Sequence, residues 1–242
     1  MKRLKGIIFN TQEVQAVLEG RKTRHTILIN PQPVFNNFLG WRVSSTCKKN
    51  EGKAIFTSND ENYECYIKPP YQVGQILYVK ETWQVINHGS RGTFSDKDKL
   101  EYYYKADQKC NGIVREECSA KEIEWNKTCE MCEHMSGLIW QPSTRMPKEA
   151  ARFFLKVTSV RVARLQDIEC EEAIEEGIKP VYTEYENCNG LLLGSEFKID
   201  EEATIKSYIL GKQIALKISK DENPWQWVIE FERIEKPKEE QK

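Results

Sequence analysis

The chain has 242 residues, 39% of them hydrophobic and 30% charged, a composition typical of globular proteins and unlike disordered or membrane-embedded chains. Its formal net charge is −1, which excludes a global basic field, so any nucleic-acid site must be a local patch. No apolar stretch reaches the roughly 20 residues of a membrane span, and no apolar run of the kind found in signal peptides follows the basic N-terminus. Eight cysteines are too sparse for a secreted disulfide scaffold. The expected compartment is therefore the cytoplasm.

The first predicted elements are a short buried strand at residues 6–9 and a helix behind it. Thr11 is the expected N-cap of this helix, apolar residues follow at helical spacing, and Gly20 lies after its C-terminus. Residues 23–29 are expected to be extended, and Asn30-Pro31 ends that strand.

The middle of the chain predicts strands and then an insertion. Residues 41–69 predict a hairpin region with strands at 42–44 and 54–56, and an apolar strand at 76–79 continues toward Trp83. Residues 85–140 are polar and charged and contain four cysteines. We interpret this segment as an insertion.

Regular structure is expected to return with a strand at 152–158, which residues 160–165 continue or pair with. Asp167 is predicted to cap a helix that ends at Gly177, and another helix is predicted near 201–210. A last strand follows Pro224, and residues 237–242 are expected to be a disordered tail. Many short strands with two clear helices favour a small mixed α+β barrel.

Several segments, in this order, resemble the ASCH family, a branch of the PUA-like superfamily. They are 20–23 (Gly-Arg-Lys-Thr), 73–83 (Val-Gly-Gln-Ile-Leu-Tyr-Val-Lys-Glu-Thr-Trp), 140–147 (Trp-Gln-Pro-Ser-Thr-Arg-Met-Pro), 154–178 and 227–231. The match is closest to the larger ASCH proteins of bacteriophages and prophages, which would place the protein in a bacterial host cell. Gln75 stands where the family usually has Asp.

The resemblance implies a PUA-like fold, a small β-barrel with flanking helices and a Cys-rich insertion. It implies a discontinuous domain over residues 1–84 and 141–236, interrupted by the insertion at 85–140. Because one fold hosts many activities, the function must be argued from the site.

Small bacterial ASCH enzymes hydrolyse N(4)-acetylcytidine to cytidine and acetate, and their motif implies three catalytic positions here: Lys22, Glu176 and, where the family has a nucleophilic Thr, His25. An imidazole cannot reproduce a hydroxyl nucleophile. Alternation along a strand gives Thr23 the face of His25 and turns Thr26 away, so Thr23 is the hydroxyl expected to help. The amidohydrolase chemistry is therefore expected to be lost or altered.

Simple electrostatics supports part of this assignment independently. Glu176 lies in a last helical turn, where the helix dipole opposes negative charge, and Lys22 is a candidate cation partner. The alternative is that Arg21 and Lys22 bind no ligand and only stabilise the negative end of a helix dipole. The remaining candidate ligand-binding residues are Arg21, Thr23, Glu81, Trp83 and Arg145. The basic segment 145–164 is the candidate phosphate-contacting surface. The alternative is that this segment is only a solvated charged face.

Three functions stay open at this point. The first is a module that binds a nucleoside or a modified or single-stranded nucleic acid in a cleft near Lys22. The second is an amidohydrolase acting on acylated nucleosides, which a Thr at position 25 would favour and His25 disfavours. The third is a phage-encoded protein-interaction module. No organic cofactor is predicted.

The cysteine cluster is a candidate structural zinc site. Its residues are Cys110, Cys118, Cys129 and Cys132, with His134 as an alternative ligand. The last two cysteines have the Cys-x-x-Cys spacing that suits tetrahedral zinc, and a metal would give a core-poor insertion a reason to fold. The alternative is four unrelated thiols in a loop.

Overall fold

The computed structural model of the protein describes residues 4–43, 48–60, 62–87, 100–107, 140–185 and 196–237. In chain order, the described elements are β1 (Lys5–Ile8), α1 (Thr11–Leu18), β2 (Arg24–Leu28), β3 (Asn37–Trp41), β4 (Ala54–Thr57), β5 (Glu64–Ile67), β6 (Ile76–Lys80), β7 (Trp83–Asn87), β8 (Leu100–Tyr104), β9 (Phe154–Arg164), α2 (Cys170–Glu175), β10 (Tyr182–Tyr185), β11 (Glu196–Ile199), α3 (Glu201–Leu216) and β12 (Trp225–Ile234). In this part of the chain, no helix combines the length and the apolar character that crossing a membrane requires.

The largest sheet has five strands in the order β1-β6-β9-β12-β2, with β1 parallel to β6 and β12 antiparallel to β2. Its outer strands, β1 and β2, are not paired with each other, so the sheet is open. The smaller sheets are β3-β4-β5, β7-β8 and β10-β11. The predicted mixed α+β class is confirmed. The described strands do not form the predicted closed barrel, because closure depends on strand tilt and register, which hydrophobic alternation leaves open.

The chain divides into two compact units. The first comprises the described residues of 1–19, 76–155 and 233–242, and the second those of 20–75 and 156–232. Most of the predicted insertion at 85–140 and the tail at 238–242 lie outside the described residues. The domain boundaries drawn from the sequence therefore stay a prediction.

In the first unit, α1 begins one residue earlier than its predicted cap implies. Asn10 is the N-cap: its Oδ1 accepts the Glu13 amide at 2.9 Å, and the Glu13 carboxylate accepts the Asn10 amide at 2.9 Å. Asn10 can do this because its backbone is extended, with φ −76° and ψ 171°. Thr11 is the first helical residue rather than the cap.

The second unit has three strands where the sequence predicted a hairpin. β3 ends at Trp41, before the predicted strand at 42–44. Just beyond the β3–β4 ladder, the Arg42 amide donates to the Lys53 carbonyl at 2.9 Å and the Gly52 amide donates to the Arg42 carbonyl at 2.8 Å. β5 pairs antiparallel with β4 and was not predicted. β9 is one continuous strand, which confirms one of the two interpretations of residues 160–165.

The helices of the second unit position the candidate site. α2 is capped by Glu169 rather than by the predicted Asp167, which instead ends a 3-10 turn over Leu165–Asp167. α3 confirms the predicted helix near 201–210 and extends to Leu216. Tyr208 of α3 is 1% exposed and belongs to a core cluster with Leu165, Ile168 and Ala173, which fixes α3 beside α2.

Candidate functional site

The site is built where the end of α2 meets β2. β2 is an edge strand, so one side of its backbone pairs with β12 and the other is available to side chains. Glu176 is the C-cap of α2, and its Oε1 accepts the Thr26 amide of β2 at 3.0 Å. The Thr23 amide donates to the carbonyl of Glu175 at 2.9 Å. These bonds hold the C-terminus of α2 against the strand edge.

Lys22 neutralises this helix end. Its Nζ donates to the main-chain carbonyl of Glu176 at 2.6 Å and lies 3.8 Å from Glu176 Oε1. The side chain of Lys22 is 0% exposed and that of Glu176 4%. A buried ammonium here satisfies a helix carbonyl and offsets the carboxylate that the helix dipole disfavours.

Two more side chains, those of Lys212 and His25, approach the same oxygen. Lys212 of α3 places its Nζ 2.7 Å from Glu176 Oε1, and His25 Nδ1 lies 3.8 Å from it. The side chain of Lys212 is 21% exposed and that of His25 15%. Lys212 and His25 therefore connect the buried carboxylate to the solvent-accessible surface.

Thr26, rather than Thr23, supplies the hydroxyl of the site. Thr26 Oγ1 donates to Glu176 Oε1 at 3.0 Å and also lies 3.0 Å from the Tyr208 hydroxyl. Thr23 is exposed, and the contacts described for it are made by its backbone. The sequence predicted that Thr26 faces away from His25 and that only the hydroxyl of Thr23 could therefore help. The Thr26 hydroxyl nevertheless reaches Glu176 Oε1, because this oxygen lies at the edge of β2 and also accepts the Thr26 amide.

We call Lys22, His25, Thr26, Glu176, Tyr208 and Lys212 the Glu176 cluster. The sequence brought forward Lys22, His25 and Glu176, and the structure brings these three together. It missed Tyr208 and Lys212. Their spacing of four residues on one helix was the available signal, since such residues share a helix face.

The charges around Glu176 decide its protonation. Burial by itself raises the pKa of Glu176, but the charges of Lys22, Lys212 and His25 outweigh burial, and the net pKa is lowered. Glu176 is therefore a carboxylate near neutral pH. Burial, followed by the charge of Glu176, raises the pKa of Tyr208 well above its usual range, so Tyr208 stays a neutral phenol.

The two oxygens of the Glu176 carboxylate differ sharply. Oε1 receives hydrogen bonds from the Thr26 amide, the Thr26 hydroxyl and Lys212. Oε2 is buried and accepts no hydrogen bond from any described residue. Leaving a buried acceptor unsatisfied costs about 1–3 kcal/mol, and more when it is charged. Oε2 is thus a buried acceptor with no donor among the described residues.

A network of ion pairs beside the cluster holds α2 in place. Arg24, whose side chain is 6% exposed, pairs with Glu172 at 2.8 Å, Glu175 at 3.1 Å and Glu230 at 3.5 Å. Arg161 also contacts Glu172 and Glu230. The network joins two arginines to three acids, which leaves one negative charge in excess, and it anchors α2 to β2, β9 and β12.

Two of the predicted ligand-binding residues lie beside the Glu176 cluster, in the second unit. Arg21 donates from Nη1 to the carbonyl of Gly177 at 2.7 Å, which closes the C-terminus of α2. Thr23 contributes its backbone, as described above. Both residues thus support the helix end that carries Glu176.

The other three predicted ligand-binding residues belong to the first unit. Glu81 is 1% exposed, and Arg152 binds both of its carboxylate oxygens, at 2.8 and 2.9 Å. Trp83 is 8% exposed and belongs to a core cluster with Met146. Arg145 is exposed at the end of a 3-10 turn. Glu81 and Trp83 thus have structural partners that the sequence did not predict.

The predicted basic surface over 145–164 is largely committed to internal contacts. Arg152 binds Glu81 and Asp107, Arg161 binds Glu172 and Glu230, and Arg164 donates to the carbonyl of Asn223 while lying over the Trp225 ring at 4.1 Å. These guanidinium groups stabilise the fold. The segment is a weaker candidate for phosphate contact than its charge alone indicated.

The predicted zinc ligands Cys110, Cys118, Cys129 and Cys132, and His134, lie outside the described residues. The zinc site stays a prediction. Within the described part of the chain, Cys65 and Cys170 are both free thiols.

Comparisons with protein-family models, with curated proteins and with solved structures find no match for this chain. A function therefore has to be argued from the residues of the site.

Proposed function

We propose that the protein is a binding module for a nucleoside or for an unpaired base of single-stranded nucleic acid, and that the Glu176 cluster recognises the base. We also propose that its fold is of the PUA-like ASCH type, on the resemblance of residues 20–23, 73–83 and 154–178 to that family. The resemblance suggests a nucleoside ligand, and the chemistry of the cluster supports it.

The observation that carries the proposal is the unpartnered Oε2 of Glu176. The carboxylate has a lowered pKa and two lysines beside it, Lys22 and Lys212, yet one of its oxygens lacks a donor among the described residues. The neighbouring donors do not serve this oxygen, because Thr26 and Lys212 both donate to Oε1. A ligand N–H placed at Oε2 would recover the cost of the unmade hydrogen bond.

A nucleobase edge matches the chemistry of the cluster. Base edges present N–H donors next to carbonyl or ring-nitrogen acceptors. Oε2 would accept from the donor, and the partly exposed ammonium of Lys212 can donate to the neighbouring acceptor. A divalent cation fits less well, because Lys22 and Lys212 already place two positive charges at this carboxylate.

Calorimetric titration tests the proposal with cytidine, N(4)-acetylcytidine, adenosine and uridine, and with a single-stranded oligonucleotide. We expect binding of at least one of these ligands and a loss of roughly ten- to 150-fold in Glu176→Gln, the range for a hydrogen bond to a charged group. Glu232→Gln is the matched control, since Glu232 is a half-exposed acid paired with Lys156. Absence of binding to the whole panel would refute the proposal and favour the protein-interaction function.

Amidohydrolase activity is the second candidate, because Thr26 Oγ1 donates to Glu176 Oε1 at 3.0 Å and so places a hydroxyl on a carboxylate. A carboxylate whose pKa is lowered is a poor general base near neutral pH, and Tyr208 shares the same hydroxyl. We therefore expect N(4)-acetylcytidine to be bound with weak or no hydrolysis, as measured by acetate release. Rapid turnover that Thr26→Val or His25→Ala abolishes would establish the enzyme instead.

A further inference from the structure

A separate cavity of about 390 Å³ lies in the second unit, away from the residues of the Glu176 cluster. It is lined by Trp41 at the end of β3, by Gly52 in the turn before β4, by Pro69, Tyr71, Gln72 and Val73 between β5 and β6, and by Val160 of β9. This volume lies within the roughly 300–1,000 Å³ of small-molecule sites, near the lower end. It suits a single planar ring system.

The cavity has rigid, flat walls. The Trp41 ring lies 5.8 Å from that of Trp227 at an interplanar angle of 33°, and Phe38 meets its edge at 6.2 Å. Tyr71 is 7% exposed, so its ring is also held by packing. The aromatic rings of Trp41 and Tyr71 offer π-faces, Pro69 offers apolar contact, and Gln72 contributes an amide. Such walls favour stacking of an aromatic ligand without strong selection among bases.

Three cationic residues are sequence neighbours of residues that line this cavity. Arg42, Lys53 and Lys68 are each adjacent in sequence to a lining residue, against one acid, Glu51, in the same turn. Neither Arg42 nor Lys68 forms an ion pair with a described residue, and Lys53 donates to a neutral partner, Asn50 Oδ1, at 3.0 Å. Stacking surfaces combined with cationic side chains are the means by which proteins bind single strands.

We propose that this cavity is a second base-binding subsite, in which one unpaired base of a single-stranded nucleic acid stacks on Trp41 and Tyr71 while Arg42 and Lys68 contact the adjacent phosphates. The proposal rests on the proposed function and extends its ligand from a nucleoside to a strand. Both sites belong to the same unit. Trp41 packs on Trp227, and Trp227 lies two residues along β12 from Ile229, the partner of His25, which is roughly 7 Å of strand.

Fluorescence anisotropy with a labelled hexanucleotide tests the subsite. Removing one stacked base contact weakens binding by roughly five- to 150-fold, and we expect a loss in this range for Trp41→Ala. Because Trp41 packs on Trp227, Val73→Glu is a second variant: Val73 is 58% exposed, and its glutamate would repel the strand at the cavity mouth without disturbing the core. Val34→Glu is the control, since Val34 is 83% exposed and does not line the cavity.

Two independent readouts complete the test. A 5-iodouracil hexanucleotide should cross-link to Trp41 or Tyr71 on irradiation, as identified by peptide mass spectrometry. Arg42→Gln and Lys68→Gln should each reduce the slope of log affinity against log salt by about 0.7, the value for one phosphate contact of a single strand. Cross-links confined to other residues would overturn the subsite.

The outcomes separate the subsite from the proposed function. Strand binding that is unchanged in Trp41→Ala and Val73→Glu, with nucleoside binding still lost in Glu176→Gln, overturns the subsite and leaves the function standing. Strand binding weakened by the cavity variants, with nucleoside binding kept by them, supports the subsite. Absence of nucleoside and strand binding alike overturns both.

Discussion

At the scale of single residues, the molecule's most telling feature is a buried carboxylate shared among cations. Glu176→Gln would leave Lys22, with a side chain 0% exposed, without its counter-charge. Breaking a buried pair by removing one partner destabilises by on the order of 3–5 kcal/mol. Urea unfolding should show a loss in this range, whereas Glu232→Gln, at a pair 50% and 52% exposed, should change stability by about 0–1 kcal/mol. Equal effects of the two substitutions would contradict this account.

The same carboxylate predicts a pH dependence of stability. The pKa of Glu176 is lowered from 4.5, so the unfolded chain takes up its proton at a higher pH than the folded protein does. The contribution of Glu176 is therefore fully present above about pH 4.5 and is lost as the pH falls through its folded pKa. Unfolding free energies measured from pH 7 to pH 3 should fall less steeply in Glu176→Gln than in the wild type. Glu172, whose pKa is also lowered, accounts for part of the remaining slope.

At the scale of elements, α3 carries Tyr208 and Lys212 to the site, and its N-cap residue, Asp200, contributes to the stability of this helix. Asp200 accepts the Ala203 amide at 2.9 Å. Asp200→Ala should destabilise the protein by about 1 kcal/mol, within a range of about 0.5–2, and Asp200→Asn should retain most of the stability because it keeps the acceptor oxygen. Thermal unfolding of the two variants checks this. An equal loss in both would show that the charge, rather than the cap, is what matters.

The positions of the helices and strands were predicted better than their boundaries. The spacing of apolar residues correctly indicated α1 and α2, and a strand and a possible helix were also expected where β9 and α3 lie. The N-caps of α1 and α2 were misplaced by one and two residues, because neighbouring polar residues compete for each cap and only backbone geometry selects among them. β5 was missed because its strand signal becomes clear only in its pairing with β4.

At the scale of the whole molecule, we propose that the cysteines at 110, 118, 129 and 132 bind one structural zinc. Metal analysis of protein purified without chelator should give about one zinc per chain, because four thiolates close a tetrahedral site. Chelation should lower the thermal midpoint, since metal binding is coupled to folding. A Cys129→Ser/Cys132→Ser variant should lose the metal. Full reactivity of all four thiols toward a thiol reagent before chelation would refute the site.

The sequence by itself determined the mixed α+β class and the main helical and strand segments of the described chain. It also predicted that an acid at the end of α2 requires a cationic partner such as Lys22. These follow from local periodicity, helix capping and the helix dipole, all of which act over a few residues. The tertiary structure alone decided that the five-stranded sheet is open, that Thr26 rather than Thr23 reaches Glu176, and that Tyr208 and Lys212 complete the cluster. These contacts join residues as far apart as 182 positions, and only the packing of α2 and α3 against the edge of β2 brings such residues together.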